Sequence, residues 1–137
     1  MGSQHWSRNQ HVANYKPKYG ILLDMVGAKD ARFAQEGTSM AVAPQLMNKI
    51  WGLANKMNYG KYFVSASVPG ITDDHYFVNT IARIPMIDII NLPANGKTFG
   101  DYHHTHDDDI GVISKETLQA SGQVVLAVIY RENNGDF

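Results

Sequence analysis

Alternation of apolar strand-like runs with amphipathic helical stretches predicts an α/β layered domain. Three observations carry that expectation. Residues 19–27 form an almost continuous apolar run closed by Gly27, which suits a strand covered on both faces. Ala43, Leu46, Met47, Ile50, Trp51, Ala54 and Met57 recur at spacings of three and four, the signature of a one-sided apolar helix. The full order then reads strand, helix, strand, short helix, strand, helix.

Taken along the chain, residues 3–11 could form the last turns of a helix, but an N-terminal segment of this kind is expected to fray. The strand over 19–27 follows. Pro44 belongs in the first turn of the next helix, where its missing N–H costs nothing. Residues 61–65 read as a second strand and 85–92 as a third. Between them the Pro69-Gly70 turn leads into a short helix over 73–82. The last helix, 115–131, has the clearest start. Ser114 can accept an amide hydrogen bond, and Ile113 and Leu118 occupy the two staple positions. Leu118, Gly122, Val125 and Ile129 are expected to be its buried stripe. Three strands make a thin sheet for this class.

Composition bounds the function. The chain has 137 residues, 12 Lys and Arg against 13 Asp and Glu, and a net charge of −1. Near-balance removes the electrostatic case for nucleic acid or an anionic membrane, which needs a basic face. Residues 124–130 form the longest clean apolar run, far short of the roughly 20 that span a bilayer. The absence of cysteine excludes disulfides and thiolate metal sites. Any metal would have to use His, Asp and Glu.

Three polar clusters interrupt the apolar pattern, each at or beyond the end of an expected strand. Asp24 closes the first run, Asp73-Asp74-His75 follows the second, and His103-His104-Thr105-His106-Asp107-Asp108-Asp109 follows the third. In open α/β sheets the binding crevice lies beyond the carboxyl ends of the strands, so the three could converge. Each also has a plainer reading. Asp73 and Asp74 could cap a helix and complement its dipole, and 107–109 fits a solvated turn. Asp24 is costly to bury unless a cation or several donors meet it. A histidine cluster is a weak signal alone; imidazole is nevertheless the commonest neutral zinc ligand. No nucleophile elbow, phosphate loop or His-Glu-x-x-His pair is present.

Taken in order, Gly2-Ser3-Gln4-His5-Trp6, Leu22-Leu23-Asp24-Met25-Val26-Gly27-Ala28, Thr72-Asp73-Asp74-His75, Ile84-Pro85-Met86-Ile87-Asp88-Ile89-Ile90 and His104-Thr105-His106-Asp107-Asp108 resemble the zinc-dependent glutaminyl-peptide cyclotransferases of the animal and Bacteroidetes type. These belong to the aminopeptidase-like zinc exopeptidase superfamily, and the resemblance runs from about Gly2 to Tyr130. It implies a three-layer fold with a mixed sheet flanked by helices. It implies zinc as cofactor, with His104 as a ligand. Asp24 and Asp73 match the acidic residues of the catalytic network, and Asp24 would itself be a ligand in a dizinc relative. Phe99 lies near an aromatic pocket wall. His103 stands where animal cyclases carry Trp, a departure that changes the pocket. The implied reaction turns an N-terminal glutamine into pyroglutamate, with a peptide or protein N-terminus as substrate. Periplasmic or secreted localisation comes with the resemblance alone.

In family order the other two zinc ligands, an Asp and a Glu, and a Glu general acid/base precede the Gly-Ser-Gln motif. Glu36, Glu116 and Glu132 fit a loop, a helix start and a helix end, and match none of them. The expectation is therefore one partial domain over 1–137, the C-terminal half of a catalytic domain, inactive alone. Its uncovered sheet edge and apolar surface would favour a homo-oligomer. The alternatives are a zinc aminopeptidase of the same superfamily and a non-catalytic interaction domain.

Overall fold

A computed structural model describes residues 2–94 and 99–137. Its elements are α1 (Gly2–Arg8), β1 (Gly20–Asp24), β2 (Phe33–Glu36), α2 (Gly37–Val42), α3 (Pro44–Lys56), β3 (Phe63–Val68), α4 (Asp74–Phe77), β4 (Met86–Ile90) and α5 (Lys115–Asn134). A π-helical turn, Val78–Ala82, continues α4, and a 3₁₀ turn, Ile110–Val112, precedes α5.

Strand β1 pairs in parallel with β4, from Gly20 opposite Met86 to Asp24 opposite Ile90. Strand β2 pairs in parallel with β3, with an irregularity between Phe33 and Gln35. The two pairs meet at one antiparallel bridge between Phe33 and Asn91, where the Leu92 amide donates to the Arg32 carbonyl at 2.9 Å. The sheet is therefore mixed.

Alternation along β4 sorts the layers. Ile87 and Ile89 join Phe33, Phe63, Met47, Ile50, Trp51, Val124 and Val128 in the main core beneath α3 and α5. Asp88 and Ile90 face the opposite way, toward α2 and α4. Three layers result, helices on both faces of a sheet. Trp51 locks the main core in register. Its indole N–H lies 3.1 Å from the Phe33 carbonyl and 3.2 Å from that of Val64, so a large apolar ring is buried with its polar atom satisfied.

Several expectations shift. β2 and α2 are additional elements; four and six residues are too short to print a periodicity. The second strand lies at 63–68 rather than 61–65. α1 is held in place, because Ser3 Oγ donates to Asp74 Oδ1 at 2.6 Å. On α5 the expected stripe is reversed. Thr117, Ala120, Ser121, Val124 and Val128 are buried, while Leu118 and Ile129 are exposed. Small residues let this helix approach the sheet closely, and its larger side chains point away. The Ser114 cap is as expected, its hydroxyl accepting from the Thr117 amide.

Candidate functional site

The parallel pair β1–β4 brings both carboxyl ends to one edge, and the polar clusters gather there. Asp24 is the last residue of β1, and Met25 behind it takes a left-handed backbone, φ 51°. That turn stops the strand and leaves the Asp24 carboxyl half-buried at its mouth. Asp73 arrives from the loop before α4. It is the N-cap, its Oδ1 accepting from the Asp74 amide at 2.6 Å, so the capping reading of this residue holds structurally.

The Asp24 and Asp73 carboxyls hydrogen-bond to each other. Two carboxyls can do so only if they share a proton. Burial raises the Asp24 pKa, the Asp73 charge raises it further, and His103 opposes the shift. His103 therefore lies within electrostatic reach of Asp24. Its ring also stacks between two others, 4.3 Å from Phe99 and 3.8 Å from His104 by centroid. His104 adopts φ 60°, an uncommon backbone for a residue with a Cβ, and is exposed. Strain of this kind clusters at functional sites. Asp24, Asp73, His103, His104 and Phe99 thus form one contiguous group.

His106, Asp107, Asp108 and Asp109 stand apart, exposed on the loop beyond. Asp109 caps the 3₁₀ turn through the Gly111 amide at 2.6 Å. Among the described residues no three His, Asp or Glu side chains group as a metal site. His104 is one available donor, and a catalytic zinc normally has three protein ligands. The described residues do not make a zinc site by themselves.

Sequence reasoning missed what lies behind the pair. Glu36, His75 and Asp88 are completely buried together. His75 Nε2 is 3.3 Å from Glu36 Oε1, and Nδ1 is 3.6 Å from Asp88 Oδ2. Glu36 is not a loop residue. It ends β2 and caps α2 through the amides of Thr38 and Ser39, and receives the Ile71 amide at 3.3 Å. Burial would raise its pKa, but hydrogen bonds from His75 and Ser39 outweigh that and hold it at about 2. Asp88 goes the other way. Burial, then the charges of Asp73 and Asp24, push it up to about 9. One signal was available: an Asp inside Met-Ile-Asp-Ile-Ile must find a partner or a proton.

A sequence model of peptidase family M28 matches residues 1–129. Among solved structures, a Zn-dependent exopeptidase from Parabacteroides distasonis is 47% identical with a TM-score of 0.92, over 95% of this chain and 45% of that one. The glutaminyl cyclase of Porphyromonas gingivalis is 46% identical with a TM-score of 0.93, over 96% of this chain and 48% of that one. A leucine aminopeptidase precursor from Bacteroides thetaiotaomicron is 48% identical with a TM-score of 0.88, over 95% and 43%. The chain spans just under half the length of each of these structures. A comparison with curated protein sequences returned no significant match.

Proposed function

The chain belongs to peptidase family M28 as a glutaminyl cyclase-like member, and from that premise we propose that it carries part of the active site of a zinc enzyme converting N-terminal glutamine to pyroglutamate. The substrate in this reading is a peptide or protein N-terminus. One observation carries it: the proton-sharing pair Asp24–Asp73 at the open end of β1 and β4.

Cyclisation needs no protein nucleophile. The substrate α-amine attacks its own side-chain amide carbon, a C–N bond forms, and the bond to the amide nitrogen breaks to release ammonia. One proton must travel from the attacking nitrogen to the departing one. A pair of carboxyls holding a single proton can accept the first and return the second. The raised Asp24 pKa brings its proton affinity nearer to that task. Phe99, His103 and His104 form a stacked wall beside the pair, suited to the flat amide and the forming ring.

Zinc, the metal of the exopeptidase relatives, is assigned His104 as its donor from this chain. The resemblance places the remaining ligands, an Asp and a Glu, before the Gly2–Trp6 motif, so no step here is routed through the metal.

The test joins residues 2–137 to the N-terminal half of the Porphyromonas gingivalis glutaminyl cyclase, and assays Gln-initiated and Leu-initiated peptides. Pyroglutamate without leucine release supports the reading, with loss of turnover by at least about a hundredfold in D24N or D73N, the scale of a lost general acid/base. Leucine release instead supports an aminopeptidase, the reading favoured by the Bacteroides thetaiotaomicron relative. The 137-residue chain alone is expected to form no pyroglutamate.

A further inference from the structure

Helix α4 has four residues, too few to hold itself in water, yet its N-cap presents Asp73 to Asp24. Something outside the helix must fix its first turn. His75, two residues on from Asp73, is fully buried and reaches into the layer between α4 and the sheet. On one side it meets Glu36, which is anchored by the Thr38 and Ser39 amides. The same carboxylate receives the Ile71 amide, and Thr38 Oγ1 donates to the Ile71 carbonyl at 2.9 Å. The loop entering α4 and the helix itself therefore converge on one anion. On the other side His75 meets Asp88, whose own amide accepts no freedom, being bonded to Ser39 Oγ at 2.9 Å.

Backbone packing enforces the same junction. A Cβ on Gly37 would meet the Gly70 nitrogen at 2.8 Å. The start of α2 and the loop before α4 thus touch main chain to main chain, an approach only glycine permits.

Asp88 has no hydrogen-bond partner for either carboxyl oxygen, and neither ring nitrogen of His75 makes a bond of full strength. The imidazole is the nearest candidate for both. We infer that His75 is a positioning residue: by bridging Glu36 and Asp88 it fixes the first turn of α4, and so sets Asp73 against Asp24. The inference rests on the reading of Asp24 and Asp73 as the acidic pair of the site. Proton arithmetic is consistent with the bridge. Glu36 ionised, Nε2–H donating to it and Nδ1 facing a protonated Asp88 places one proton in each contact. Moving the Asp88 proton onto Nδ1 leaves the net charge of the three groups at −1.

Hydrogen exchange on the full 137-residue chain tests this directly. The Asp74 amide, bonded to Asp73 Oδ1, reports the first turn. In H75L it should exchange at least about tenfold faster, while Val124 and Val128 in α5 keep their protection, the mark of local opening. H75Q, whose amide can still donate to Glu36, should restore much of the loss. D88N, whose amide can donate to Nδ1, should retain protection. Unchanged Asp74 exchange in H75L, or loss in D88N, overturns the inference. Should H75L fail to fold, the wild-type ring decides. A His75 Nε2–H shielded from solvent supports the bridge, and ring N–H signals lost to rapid exchange sink it. Failure of the fused enzyme to make pyroglutamate would leave all these readings unmoved.

Discussion

Asp88 shows most directly how one residue's surroundings set the behaviour of the chain. It sits at 0% exposure in the central strand with a pKa pushed up to about 9. Unfolded, an Asp titrates near about 3.9. Between those values the folded state holds a proton that the unfolded state has released, so stability must fall as pH rises. Glu36, held at about 2, acts oppositely, but only as pH climbs to its unfolded value of about 4.3. Above about pH 5 the Asp88 slope remains. Urea denaturation at about pH 5 and about pH 8 should show wild-type stability declining and D88N declining less. Equal slopes would mean that Asp88 is ionised in the fold. Legibility at this scale was uneven for a physical reason. Asp24 and Asp73 stand out because each interrupts or follows an apolar run, a local feature. Glu36 beside Gly37 reads as a turn, and only Ser39, Ile71 and His75 reveal it as a buried anchor. Two of those three are more than thirty positions away along the chain.

At the scale of elements, strands and long helices are legible where their own period decides the outcome. α3 buries Met47, Ile50, Trp51 and Ala54, as the three-and-four spacing requires. α5 carries two stripes of that period. Leu118, Gly122, Val125 and Ile129 lie on one, while Thr117, Ala120, Ser121, Val124 and Val128 lie on the other. Periodicity cannot choose between them; close packing against the sheet selects the smaller side chains. Ser121 tolerates burial because its hydroxyl reaches the Thr117 carbonyl at 3.2 Å. The π turn after α4 has an equally specific lock. Asn79 donates to the Met86 carbonyl at 2.9 Å and accepts the Met86 amide at 2.7 Å, so its side chain acts as a short strand partner at the start of β4. N79A leaves both groups unpaired and should cost about 1–3 kcal/mol in denaturant titration. S114A, which removes the α5 cap, should cost about 0.5–2 kcal/mol. A change below a few tenths of a kcal/mol in either would mean that water replaces the side chain without penalty.

Across the whole molecule, the reversed α5 has a consequence for solution behaviour. Leu126, Ile129 and Tyr130 are 52%, 59% and 63% exposed on the face that the sequence assigned to the core, and Leu118 continues it at 45%. Isolated exposed leucines are ordinary, but several on one helix face make a contiguous patch of the kind that marks an interface. Strand β1 adds a second open feature, since β4 is its one partner among the described residues and Leu23 is 44% exposed. The relatives are more than twice as long as this chain, and what they place against the equivalent surfaces is available to them within one polypeptide. For the 137-residue chain the nearest apolar partner is a second copy. Sedimentation velocity should therefore show association that grows with protein concentration. The double variant L126K/I129K should sediment as a monomer and unfold within about 0.5 kcal/mol of wild type, because neither side chain is in the core. A wild-type chain that stays monomeric would mean that α5 tolerates its exposed face unaided. Association that survives the double variant would move the contact to the edge of β1, where pairing runs through main-chain hydrogen bonds that side-chain charge on α5 cannot reach.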